Sequence, residues 1–199
     1  MTDFAAISQV LLKTDREVWL VTACAGGERA GLIATFINQA SIVPELPRVV
    51  VGLAKQHHTA QIVERSRGFV LHLLTEDQID LVWRFGLQSG HNVDKWQGLA
   101  VSDSAGGPRL DALAWLDCRV ETSLDIGDRT VYLAEVLAGR VERTGAPLTV
   151  RRVIQLASPE RLRELKEGLV RDAAVDAAAI EAWRSLSPRR LSPAGLGGG

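Results

Sequence analysis

The chain is poor in cysteine, in aromatic residues and in long apolar runs, and each shortage excludes a class of protein. Its 199 residues include two cysteines, which form no CxxC pair, and this predicts free thiols in a cytoplasmic protein rather than a disulfide scaffold. No apolar run approaches the roughly 20 residues that cross a bilayer. The N-terminus carries no basic segment of the kind found in signal peptides. We therefore expect a cytoplasmic protein without a membrane span.

Charge is nearly balanced, and the common catalytic and metal-binding motifs are missing. The 23 basic and 24 acidic residues give a formal net charge of −1, which provides no basic field for nucleic acid or anionic membrane. His57 and His58 are adjacent and cannot easily face one ion, and no His-x-x-x-His pattern completes a site. Glycine-rich nucleotide fingerprints and the GxSxG nucleophile motif are also lacking. The sequence predicts neither a nucleic-acid partner nor a metal.

Apolar and β-branched stretches predict a mainly β fold. The Gly26–Gly27 pair predicts a hairpin turn because glycine adopts positive φ cheaply, and 125–128 predicts a second turn. Few helices separate the strands, so an antiparallel barrel is favoured over a doubly wound sheet. The predicted strands are 17–24, 29–36, 48–54, 68–74, 113–124 and 130–141.

Helical patterns occur at both ends of the chain and between strands. Asp3 predicts the cap of a short first helix, and Thr75 with Gln78 forms a capping-box pattern. Further helices are predicted at 58–66, from Pro159 to about 169, and at 172–186. These patterns divide the chain into a barrel domain at 1–144, a C-terminal helical extension at 145–186 and a disordered tail at 187–199.

A polar cluster follows the second predicted strand and is the most specific signal in the sequence. Thr35, Asn38, Gln39 and Ser41 lie between two apolar strands. Small hydroxyl and amide side chains at a strand end suit hydrogen bonding to the edge of a planar ligand that is rich in heteroatoms. The cluster therefore favours a flavin as the ligand.

Residues 15–142 resemble the flavin reductase-like family of FMN-binding split-barrel proteins. The family's Gly-hydrophobic-Thr-x-Ser-x-Phe-x-Ser-x-Ser pattern and its later Gly-Asp-His and Gly-Glu-Val segments have counterparts here in the same order. A Gly-x-Pro-x-Leu segment resembles 107–111. The matching positions are Gly31, Ile33, Thr35, Phe36, Asn38, Ser41, Pro47, Gly127, Asp128, Arg129, Ala134, Glu135 and Val136.

The resemblance implies a Greek-key split barrel that forms a homodimer, with FMN, or alternatively FAD, near the subunit interface. It implies phosphate binding at the start of the 58–66 helix, and helix N-termini do bind anions. The alternatives are an ordinary cap for Thr59 and a solvated charge for Lys55. The implied cofactor-binding residues are Ala34, Thr35, Phe36, Asn38, Gln39, Ala40, Ser41, Lys55, His58 and Thr59.

Two residues are candidates for contact with the second substrate, NAD(P)H. Many reductases of the family have histidine where this chain has Arg129, close to the nicotinamide. Arginine does not titrate near neutral pH but can hold a phosphate or carboxylate through two hydrogen bonds. An ion pair with Asp128 or Glu135 is the alternative. His91 lies in a loop that approaches the flavin in relatives, and a surface loop anchored by Trp96 is the alternative there.

The predicted function is hydride transfer from NAD(P)H to flavin N5, with reduced flavin passing to a monooxygenase. One alternative is a non-catalytic protein that binds a flavin or tetrapyrrole. Another is an oxidase of a small organic substrate with tightly bound FMN. The departure from the family pattern at Arg129 falls at the expected contact with the nicotinamide.

Overall fold

The computed structural model describes residues 3–87 and 94–186, and its strands pair only in antiparallel fashion within those residues. The six predicted strands are confirmed to within two residues at each end. Three short strands, β3, β6 and β7, were not predicted as separate elements. The strands are β1 Trp19–Ala25, β2 Glu28–Ala34, β3 Ile37–Gln39, β4 Arg48–Ala54, β5 Gly68–Leu73, β6 Val101–Asp103, β7 Pro108–Leu110, β8 Ala114–Asp125 and β9 Arg129–Val141.

Five α-helices accompany the strands in the described ranges. They are α1 Phe4–Leu11, α2 His58–Ser66, α3 Ile79–Gly86, α4 Val150–Leu156 and α5 Pro159–Leu186. The Asp3 cap of α1 and the Thr75 capping box before α3 are confirmed. None of these helices is both long enough and apolar enough to cross a membrane.

The prediction of two separate C-terminal helices is wrong. A single 28-residue helix, α5, runs through the region around Gly168 and Asp172 where a break was expected. A glycine inside a helix costs only about 1 kcal/mol relative to alanine, so it need not end one. The preceding helix α4 was missed, although the Thr149 side chain caps it by accepting from the Arg152 N–H.

The main sheet is rolled into a barrel, and the path of the chain shows how it closes. Its strand order is β2-β1-β5-β8-β9-β4-β3. Seven flat strands would place the outer two about 29 Å apart, but only Thr35 and Phe36 separate β2 from β3, a reach of about 11 Å. Because every neighbouring pair is antiparallel, the first and last strands run in the same direction. Thus β3 continues β2, pairing with β4 after β2 has paired with β1.

The barrel interior and its outer face form two separate cores. Val21 and Ala23 of β1 point into the barrel, where Ile62 and Val63 of α2 also pack. Leu20 of the same strand faces the other way, toward α3, α4 and β7. This alternation follows from the two-residue period of a strand. It leaves α2 inside one end of the barrel and α3 on its outer surface.

His72 on β5 is a core histidine. Its side chain is fully buried, with Nδ1 3.1 Å from the Leu20 carbonyl oxygen, and the Leu110 N–H donates to Nε2 at 3.0 Å. Those partners require a neutral ring with the proton on Nδ1. Burial lowers the pKa of His72 to about 4.

Candidate functional site

A cleft of about 1160 Å³ runs along the outer edge of β2. Within the described residues β2 pairs only with β1, so its other edge leaves backbone N–H and C=O groups available for a ligand. Residues 28–33 of this strand line the cleft. The other walls come from the start of α2, the end of α3, residues 94–96 and the first half of α5.

The N-terminus of α2 opens into this cleft. Its N-cap, His57, makes no side-chain capping bond, and the His57 carbonyl accepts from the Ala60 N–H at 3.0 Å. The first N–H groups of a helix point out of its N-terminal end instead of along its own backbone ladder. The positive end of the helix dipole adds to them. This terminus is therefore suited to an anion such as a phosphate.

The Glu28 carboxylate connects the β2 wall of the cleft to the α2 wall. Glu28, at the start of β2, accepts from Arg65 at 2.5 Å, and its other oxygen lies 2.9 Å from Nε2 of His58. The Arg65 guanidinium, followed by the His58 contact, lowers the pKa of Glu28. The predicted phosphate contact at His58 is thus close to a carboxylate as well as to the helix terminus.

An aromatic and basic wall faces the edge of β2, and most of it was not predicted. Phe85 and Trp96 meet edge to face with their ring centroids 5.3 Å apart, and the Arg29 guanidinium lies 5.2 Å from the Trp96 ring. Lys95 is 9% exposed, and its ammonium donates to the Phe85 carbonyl at 3.2 Å. Burial lowers the pKa of Lys95. The Asp-Lys-Trp sequence at 94–96 was the available signal: its loop was expected near the flavin, but no contact was assigned to Lys95, and Trp96 was named only as the anchor of the alternative surface loop.

The predicted polar cluster begins where the cleft ends. His58 and Thr59 line the cleft, whereas the other predicted cofactor residues do not. Ala34 and Thr35 follow Ile33, the last cleft residue of β2, and Phe36 packs its ring onto Gly52. Asn38 lies opposite Val50 in the β3–β4 pairing.

Two predicted residues at the end of this segment, Gln39 and Ser41, have local partners, and Ala40 between them is exposed. The Gln39 amide donates to the Ser41 carbonyl at 2.6 Å, and Ser41 Oγ accepts from the Val43 N–H at 3.1 Å. Ala40 is exposed, and its N–H donates to the Arg48 carbonyl at 2.8 Å. The structure thus assigns these side chains and amides a role in shaping the turn between β3 and β4.

Lys55 lies in a shallower hollow next to the cleft. Its ammonium pairs with Asp125 at 2.7 Å, and both side chains are about half exposed. Hydrogen bonding from Lys55 lowers the pKa of Asp125. His58 and Glu28 line both the hollow and the cleft. Lys55 and the α2 terminus are therefore neighbours, as the predicted phosphate site requires.

Arg129 forms two ion pairs at the turn between β8 and β9. Its guanidinium contacts Asp128 at 2.6 Å and Asp176 of α5 at 3.0 Å. The alternative of a pair with Asp128 is therefore confirmed, while Glu135 pairs with Arg119 instead. The other candidate for contact with the second substrate, His91, lies outside the described residues.

The chain belongs to the flavin reductase like domain family, whose model matches residues 12–154. It is 35% identical over 133 residues to the reductase component of 4-nitrophenol 4-monooxygenase/4-nitrocatechol 2-monooxygenase from Rhodococcus opacus, covering 66% of this chain and 69% of that protein. It is 29% identical over 136 residues to the high molecular weight rubredoxin of Moorella thermoacetica, covering 66% of this chain. The chain spans only 58% of that rubredoxin.

The fold is likewise that of solved relatives. Nitrilotriacetate monooxygenase component B from Mycobacterium thermoresistibile superposes with a TM-score of 0.64 at 26% identity, covering 78% of this chain and 92% of that one. The predicted split barrel is thereby confirmed. The family match ends at residue 154, so α5 lies beyond it.

Proposed function

We propose that this protein is an NAD(P)H:flavin oxidoreductase that binds FMN in the cleft beside β2. The observation that carries the proposal is the meeting of three surfaces in one cleft of a flavin reductase-like chain: a strand edge that pairs with no described strand, a helix N-terminus without a side-chain cap, and an aromatic wall. A ligand with a planar polar edge and a phosphate needs those three surfaces. FAD is the alternative flavin.

The residues of the cleft fit a flavin in a definite division of roles. The N–H groups of His58 and Thr59 would hold the phosphate, with Lys55 as a nearby charge. The backbone edge of β2 and the hydroxyl of Thr35 would hydrogen-bond the polar edge of the ring system. Trp96 and Phe85 would exclude water from the ring. The bound flavin supplies the hydride acceptor, so the protein contributes binding and orientation rather than an acid or base.

The cleft is large enough for a second ligand. Its 1160 Å³ exceeds the range of roughly 300–1,000 Å³ typical of small-molecule sites, and it remains open to solvent. A nicotinamide nucleotide that lies against the flavin would occupy the remainder. NADH and NADPH are both compatible with this arrangement, and we propose NAD(P)H as the co-substrate.

The expected partners are inferred from those of the relatives. The Rhodococcus opacus relative is the reductase component of a monooxygenase. We propose that reduced flavin from this protein serves a flavin-dependent monooxygenase, that the protein works as a homodimer, and that it is cytoplasmic. The two free cysteines support the last point.

A second candidate is a flavin-binding protein that does not use nicotinamide. It is favoured by Arg129, which replaces the family histidine and is held by two carboxylates instead of being directed at a substrate. The two carboxylates take up two of the five N–H donors of the guanidinium and balance its charge.

One measurement separates these functions. The purified protein is titrated with FMN, and its visible absorption spectrum is recorded before and after anaerobic addition of NADH and then NADPH. Bleaching of the flavin bands, faster than for free FMN with the same nucleotide, is the expected result. Bound FMN that stays oxidised with both nucleotides would support the second candidate, and absence of FMN binding would overturn both.

A further inference from the structure

The long helix α5 is an addition to the family domain that reaches back over the cleft. Its 28 residues follow the end of the family match at residue 154. None of its residues is fully buried, yet one face is consistently half-buried. The half-buried positions recur every three or four residues, at Arg161, Leu165, Gly168, Asp172, Asp176, Ala179 and Trp183. This helix therefore lies along the barrel with one face toward it.

Contacts with the barrel occur at both ends of α5. Near its start, the Arg161 guanidinium lies 5.8 Å from the Trp83 ring of α3, and Leu165 packs against the outer core. Near its end, a Cβ at Gly127 would lie only 3.0 Å from the Trp183 Cβ. Such close packing, at a residue with φ of +103°, fits only glycine.

Between those ends α5 spans the cleft instead of packing on the sheet. Glu164, Glu167, Gly168, Arg171 and Asp172 all line it. The helix thus forms a bridge across a space whose other walls are α2, α3 and β2. A ligand in the cleft would therefore lie against this bridge.

The ion pair between Arg129 and Asp176 fixes the far side of the bridge. Asp176 lies four residues beyond the last cleft residue of α5, Asp172, and its side chain is 20% exposed. Arg129 is itself held by the nearly buried Asp128. The guanidinium is therefore fixed on the β8–β9 turn and presents one remaining side to α5. Charge pairs with little solvent exposure are the ones whose loss affects dissociation rates.

We propose that α5 closes the flavin cleft as a strap and that the Arg129–Asp176 pair is its latch. Arg129 is then a positioning residue that acts through α5, and not a contact for the nicotinamide. The proposal rests on the flavin site proposed above and goes beyond it, because it assigns ligand retention to a segment outside the family domain.

The decisive variant is Asp176→Asn, which removes the latch and leaves the Arg129–Asp128 pair intact. FMN release is followed by the recovery of flavin fluorescence when the loaded protein is diluted in a stopped-flow instrument. We expect release to accelerate about tenfold. Arg129→Gln should accelerate it to a similar degree, and the double variant should release FMN no faster than the faster single variant. The matched control is Glu135→Gln, which breaks the Arg119–Glu135 pair between β8 and β9 and should leave release unchanged.

A second readout is independent of any ligand. Amide hydrogen exchange of residues 168–183 in ligand-free protein should speed up in Asp176→Asn and stay unchanged in Glu135→Gln. Wild-type rates of release and exchange in Asp176→Asn would overturn the latch. If the wild-type protein binds no FMN, the proposed function fails, and the exchange experiment alone then decides whether the latch exists.

Discussion

The side of the barrel formed by β5, β8 and β9 is built differently from the side that borders the cleft. Each of those three strands pairs with a neighbour on both edges, and residues such as Leu71, Cys118 and Ala134 are completely buried. On the cleft side, β2 has one edge that pairs with no described strand, and the elements meet through charged contacts such as Glu28 with Arg65. One side stabilises the fold by excluding water, and the other keeps polar groups and space for a ligand. Changes on the two sides should therefore have separable effects.

The largest effect is expected from a cavity on the closed side. Leu71→Ala on β5 removes a side chain with no solvent exposure, and the free energy of unfolding should fall by about 3 kcal/mol. Urea unfolding followed by circular dichroism measures this loss. FMN affinity of the folded protein should be unchanged. A loss of FMN binding by protein that is still folded would contradict the separation of the two sides.

A pH-dependent effect of similar size should come from His72, also on the closed side. Its pKa is about 4 when folded and about 6.5 when unfolded, so the unfolded chain binds the extra proton between those values. Stability is then fully present above pH 6.5 and falls as the pH drops toward 4, by about 3 kcal/mol in total. Urea titrations between pH 7 and pH 4.5 measure the slope.

His72→Gln is the matched variant for this slope. Glutamine does not titrate, so its pH dependence between 6.5 and 4.5 should be shallower than that of the wild type, whatever its stability at pH 7. Equal slopes for the two proteins would assign the acid sensitivity to other groups.

How much the sequence could predict differs between the same two sides. The closed side depends on β-branched stretches and glycine turns, and β5, β8 and β9 were predicted to within one residue of the observed bounds. The cleft depends on tertiary contacts that leave little local signal. Arg161 reaches Trp83 across 78 residues of sequence, and the inward face of α5 is too mixed in charge to predict a buried stripe. The predicted polar cluster was located at the end of the cleft, but the wall formed by Lys95 and Trp96 was missed.

On the cleft side, the largest effect should come from Lys95. Lys95→Met keeps most of the side-chain volume and removes a charge that lines the cleft. A reduced flavin carries negative charge, so the variant should bind reduced FMN about tenfold more weakly, while oxidised FMN should be affected less. The midpoint potential of the bound flavin should consequently become more negative. An equal loss of affinity for both redox states would show that Lys95 only supports the wall.

Thr35→Val should have a smaller effect at the end of the same cleft. Thr35 is half-buried and directly follows β2, the strand that lines the cleft. Valine has the same shape without the hydroxyl, so FMN affinity measured by fluorescence titration should fall by about 1 kcal/mol, or roughly fivefold. Phe36→Leu is the neighbouring control, since Phe36 packs on Gly52 and should change stability more than affinity. Unchanged FMN affinity in Thr35→Val would remove Thr35 from the site.

The smallest effect is expected at Lys55, whose exposed pair with Asp125 contributes at most about 1 kcal/mol to stability. Lys55→Ala should nevertheless weaken FMN more than riboflavin, because only FMN carries the phosphate that the α2 terminus would bind. The ratio of the two dissociation constants is the quantity to measure, since any general disturbance of the cleft cancels in it. Asp125→Asn is the matched control: it breaks the same pair but keeps the ammonium, so the ratio should stay at the wild-type value or rise in favour of FMN. Equal losses for FMN and riboflavin in Lys55→Ala would place the phosphate elsewhere and leave Lys55 as an ordinary surface charge.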